Sequence, residues 1–69
     1  MDVILLQYFL NKHGIENRAL CEAMGWSDVT RRTRIAGGVN WRVDELHVLM
    51  TLGLTKDEID DVFFREGRK

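Results

Sequence analysis

Apolar residues recur along the 69-residue chain at helical spacing, and glycines cut them into five stretches. In the first, about residues 2–13, Asp2 precedes Val3, Ile4, Leu6, Tyr8, Phe9 and Leu10, and His13 ends it where a helix dipole tolerates a cation. The second, about 17–24, opens on Asn17 as N-cap and carries Leu20, Cys21 and Met24 along one side. Ser27 caps the third, about 28–36, and the fourth, about 42–52, repeats Val43, Leu46, Leu49 and Met50. Thr55-Lys56-Asp57-Glu58 is a capping box that starts the fifth, about 56–66, lined by Ile59, Val62 and Phe63. Gly14, Gly25, Gly37, Gly53 and Gly67 each follow such a stretch, where a left-handed C′ residue belongs. With no proline and no alternating strand pattern, the pattern predicts an all-α, compact five-helix domain occupying residues 1–69 as one unit.

The third stretch, SDVTRRTRIAGG, does not fit a simple amphipathic rule. It holds three arginines and three hydroxyl residues but only Val29, Ile35 and Ala36 to pack. A helix in so short a chain ordinarily needs a fuller apolar face, because a small core leaves little burial to spare.

Composition narrows the chemistry. One cysteine, Cys21, cannot close an internal disulfide and is read as a small core residue, which fits a reducing cytoplasm. His13 and His47 stand far apart without a cysteine pair, so no metal or other cofactor is expected. No apolar run approaches the roughly 18 residues of a membrane span. The start MDVILLQYFL lacks a basic leader and reads as a core helix rather than a signal peptide. No triad, phosphate loop or deaminase-like zinc motif occurs, so no catalytic residue and no small-molecule substrate are expected, and the chain is read as a non-enzyme.

Charge is segregated beneath an overall −1. Residues 17–42 set Arg18, Arg31, Arg32, Arg34 and Arg42 against Glu22 and Asp28, whereas residues 43–66 hold seven acids against Lys56 and Arg65. The basic half is the candidate face for a polyanion; on charge alone, its arginines are equally well a solvated surface.

The short second helix, the Gly25-Trp26-Ser27 turn and the third helix have the form of a helix-turn-helix, whose second helix enters the DNA major groove. The segment NRALCEAMGWS resembles the small phage repressor (Cro/CI-like, XRE-type) helix-turn-helix family, with Asn17 where the family usually has glutamine and Cys21 at its small position. RIAGGVNWRVDELHVLMTLGLTKDEIDDVFF is similar to the closing part of such proteins, with an aromatic before helix four, an LGL stop and a final FF. The resemblance covers about residues 5–64 and implies a lambda-repressor-like fold and a transcriptional regulator acting in a bacterial host cell or nucleoid. Arg31 departs from it, standing where the family has an aliphatic residue. It must snorkel, pair with Asp28, or report a rotated helix.

The resemblance implies that Asp28, Val29, Arg32 and Thr33 face base edges. Arg32 would take guanine O6/N7, Val29 or the Thr33 methyl a thymine methyl, and Asp28 would accept from cytosine or orient an arginine. Phosphate contacts are expected from Asn17, Arg18, Ser27, Thr30, Arg31, Arg34, Asn40 and Arg42. Read without the family, Asn17 and Ser27 are first of all N-caps, and Trp26 and Trp41 are core residues rather than base-stacking platforms. One such motif covers a single half-site, so the expected partner is double-stranded DNA bound by a homodimer on a pseudo-palindrome. Phe63 and Phe64 are adjacent and cannot both enter one small core, so Phe64, with Val48 or Leu52, is the expected dimer contact. The competing expectation is a protein-binding module on the same fold, motivated by the acidic second half and a pI near 6.1.

Overall fold

The structure, a computed structural model, describes residues 1–37 and 40–64. Regular structure among them is entirely helical: α1 (Val3–Lys12), α2 (Asn17–Met24), α3 (Asp28–Ile35), α4 (Val43–Leu52) and α5 (Lys56–Ile59). α5 runs directly into a π-helical turn, Asp60–Phe64, so the fifth helix changes type where a continuous α-helix was expected. The expected extension of that helix through residues 65 and 66, and the stop at Gly67, lie outside the described residues. The radius of gyration, 11.2 Å, matches the roughly 11 Å of a compact domain this size. Among the described residues no helix is long and apolar enough to cross a membrane.

Local chemistry sets the helix ends. The Asp2 carboxylate accepts from the Leu5 N–H at 3.0 Å and starts α1. Thr55 and Glu58 form the expected reciprocal capping box, with Glu58 N–H to Thr55 Oγ1 at 3.2 Å and Thr55 N–H to Glu58 Oε1 at 2.9 Å. Asn17 is not an N-cap: Glu16 holds that place, without a side-chain cap bond, and Asn17 is the first helical residue. Positive φ occurs at Gly14, Gly25, Gly37 and Gly53, the described glycines expected to stop helices.

The core is drawn from every helix: Leu6, Phe9 and Leu10 of α1, Leu20 of α2, Ile35 of α3, Leu46 and Leu49 of α4, then Leu54, Ile59 and Val62. The start of α1 meets the π turn there, since the Asp2 N–H donates to the Val62 carbonyl at 2.9 Å. Trp26, Trp41 and Phe63 pack on its edge, Trp41 bridging to Trp26 at 5.2 Å and to Phe63 at 5.1 Å between ring centroids. Four residues that helical spacing counted among the apolar lining, Ile4, Tyr8, Val43 and Met50, are exposed instead. Helices this short bury a narrow stripe, and residues one position off it turn to solvent.

Candidate nucleic-acid interface

α2 ends on Gly25 in the left-handed conformation (φ 74°, ψ 29°), and its N–H donates to the Cys21 carbonyl at 2.8 Å. Trp26 N–H reaches the same carbonyl at 3.0 Å, which folds the chain back at once. Ser27 then caps α3, its hydroxyl accepting from Thr30 N–H at 3.2 Å. The half-buried Cys21 thiol sits under the turn, 4.0 Å from the Ser27 carbonyl, where only a small side chain lets the two helices approach. Three residues, 25–27, therefore join α2 to α3.

The two sides of α3 differ sharply. Asp28, Val29, Arg32, Thr33 and Ala36 form one exposed strip at helical spacing. Val29, a β-branched apolar side chain, is 71% exposed. The Thr33 hydroxyl donates back to the Val29 carbonyl at 3.2 Å. The inner side holds Ile35, buried, together with Arg31 and Arg34, whose side chains are each only 15% exposed.

Arg34 therefore does not stand on the outer face where a phosphate contact was expected. Its guanidinium pairs with Glu45 of α4 and lies against the rings of Trp26 and Trp41, 5.3 and 5.7 Å from their centroids. Trp41 Nε1 donates to the Arg34 carbonyl at 3.3 Å. The arginine fills the junction of α3, α4 and the two indoles with its flat head and long stem, which is packing rather than display.

Arg31 is likewise drawn inward, and of its three possible accommodations the structure has the pair with Asp28. Arg31 Nη2 and Nε donate to Asp28 Oδ1 at 2.8 and 3.2 Å. Arg32 Nη2 takes the other oxygen, Oδ2, at 2.9 Å. The Arg31 hydrogen bond holds the Asp28 carboxyl below its ordinary value, and Asp28 in turn raises Arg31. Asp28 is also the first residue of α3, where the helix dipole favours an anion.

The remaining residues expected to touch phosphate lie on the surface. Asn17 and Arg18 open α2, Thr30 is exposed near the start of α3, and Asn40 and Arg42 precede α4. The Ser27 hydroxyl is engaged in its cap, accepting from Thr30 N–H and donating to Thr30 Oγ1 at 3.1 Å. Arg18 pairs with Glu22 at 3.6 Å and Arg42 with Asp44 at 3.4 Å. Each of the five arginines in residues 17–42 thus has an acidic partner. Exposed pairs such as Arg18–Glu22 contribute about 0–1 kcal/mol, so a phosphate can displace the acid there.

Of the expected dimer contacts, Phe64 is 52% exposed, beside a cleft of about 280 Å³ bounded by Met1, Trp41, Leu46 and Phe63. Val48 and Leu52 are both half-buried, Leu52 packing against the edge of the core. α1 itself holds no carboxylate to pair with His13. The fold supplies Glu58, forty-five residues on, whose Oε1 lies 2.7 Å from His13 Nε2 while Lys12 Nζ donates to its Oε2 at 3.0 Å. Only the three-dimensional closure of α5 onto the end of α1 creates that cluster, so no local spacing could have announced it. No family model, no curated protein and no solved structure matches the chain.

Proposed function

We propose that the chain is a sequence-specific double-stranded DNA-binding regulator that lays α3 in the major groove and acts as a homodimer. The observation that carries this reading is the exposed strip of α3, where Val29 stands beside Arg32 and Thr33 just after a three-residue turn whose first residue, Gly25, is left-handed. In the major groove a thymine methyl gives Val29 a contact and guanine gives Arg32 a bidentate acceptor. Arg18 and Arg42 supply phosphate contacts from the neighbouring elements, exchanging Glu22 and Asp44 for the backbone. The resemblance of residues 17–27 and 34–64 to phage repressors supports the same reading.

Titration of a selected duplex at several salt concentrations tests it. With two phosphate contacts per protomer, log affinity should fall against log salt with a slope of about −4. A chain that binds no duplex above a random-sequence control would overturn the proposal.

A second reading, a protein-binding module, is favoured by one observation: the basic segment is internally paired, arginine by arginine. Its mark would be a stoichiometric protein partner whose binding is unchanged by Arg32→Ala.

A further inference from the structure

We infer that Arg31, without touching DNA itself, sets base choice by holding Asp28 and, through it, Arg32 in position over the groove. The inference rests on the DNA reading above and assigns Arg31 as a positioning residue for that site.

The relay runs from the inside of α3 to its outside. Arg31 is 15% exposed and grips one carboxylate oxygen of Asp28 with two nitrogens. Two donors converge on that one oxygen, and the carboxylate's orientation is set by its second oxygen, which Arg32 takes. The second oxygen holds one terminal nitrogen of Arg32, which is 71% exposed. One of the five N–H donors of Arg32 is committed there, and the others stay free for a guanine edge. The Asp28 pair biases Arg32 toward this rotamer, which reduces the freedom it loses on binding.

The same arrangement works against unselective binding. The Asp28 charge is repelled by phosphates, so the pair disfavours Arg32 folding down onto the backbone and favours its reaching toward base edges. Removing the relay should therefore cost selectivity rather than affinity. A phosphate-binding Arg31 would behave in the opposite way.

The test compares Asp28→Asn and Arg31→Met with wild type on the duplex that wild type selects and on duplexes changed at single base pairs. Wild type should prefer one base pair in each half-site by about tenfold or more. In both variants that preference should fall to about threefold or less, and Asp28→Asn should bind random DNA more tightly. The salt slope of Arg31→Met should equal that of wild type, because no phosphate contact is lost. In the free protein, relaxation of the Arg32 Nε–H signal should show restricted motion that both variants release. Thermal melts confirm that each variant is folded, and Asp28→Asn alone decides the matter should Arg31→Met not fold. A preference that survives Asp28→Asn, a salt slope shallower by about one unit in Arg31→Met, or a freely mobile Arg32 in wild type would overturn the relay alone. A wild type that selects no duplex would overturn the DNA reading and the relay with it.

Discussion

Arg34 of α3 donates to Glu45 of α4, with side chains only 15% and 13% exposed, and the same Glu45 oxygen accepts the Arg42 N–H at 2.8 Å. A single carboxylate thus ties the end of α3 to the start of α4. Removing the arginine leaves a nearly buried carboxylate unpaired and strips the packing from two indoles. Arg34→Ala should lower stability by about 3 kcal/mol, read from urea unfolding. Arg34→Lys should recover only part of this, since a compact ammonium lacks the guanidinium's planar donor fork. Trp26 and Trp41, the chain's two tryptophans, report both variants by fluorescence.

Glu58 gives the fold an acid limit. The Thr55 backbone N–H, with Lys12 and His13, holds its carboxyl at about 2, against an ordinary value of 4.5. A carboxyl depressed on folding contributes stability that is present above about pH 4.5 and lost as pH falls toward 2. The melting temperature should therefore drop across that window. Glu58→Gln should cost about 1.5–3 kcal/mol at neutral pH and flatten the acid limb. A wild-type melting curve unchanged between pH 5 and 3 would contradict the assignment.

The turn before α3 depends on backbone freedom at Gly25, where an added Cβ would meet nothing within 4 Å. Gly25→Ala should cost about 1–2 kcal/mol from its positive φ alone, and Gly25→Asn less, because asparagine tolerates the left-handed region. At Gly37 (φ +87°) a Cβ would also come within 3.1 Å of Val3 Cγ2. Gly37→Ala should therefore be the more costly, and thermal melts of the three variants give the order.

Phe64 is the residue to change to test the proposed homodimer. It is half-exposed, so Phe64→Glu should leave monomer stability within about 1 kcal/mol. Sedimentation should show dissociation of a wild-type dimer. If the dimer survives, Ile4 and Tyr8, one turn apart and exposed on α1, are the next surface to alter.

What the sequence made legible follows from which interactions are local. The first four helices, the start of the fifth, the Thr55–Glu58 box, the Ser27 cap and the turns at Gly14, Gly25, Gly37 and Gly53 depend on residues within a turn of one another, and the structure has them. The facing of α3 was only half legible. Spacing puts Val29, Arg32 and Thr33 on one strip, but nothing local distinguishes an arginine displayed to solvent from one whose stem fills a junction. Arg34 became structural because Glu45, Trp26 and Trp41 converge on it from other elements. The low apolar content of SDVTRRTRIAGG thus has two sources: an outer strip left bare, and an inner side in which two ion-paired arginines replace aliphatic residues. The π turn at Asp60–Phe64 and the His13–Glu58 contact arise from closure of the last helix onto the first, which no short window contains.

The central claim, that the outer strip of α3 reads DNA, is tested most directly by selecting bound duplexes from random sequence with wild type and with Arg32→Ala. Wild type should enrich two related half-sites about one helical turn apart. Arg32→Ala should lose preference at one base pair in each half-site while the other positions hold. Enrichment of no sequence by wild type, or of the same site with every preference intact by Arg32→Ala, would contradict it.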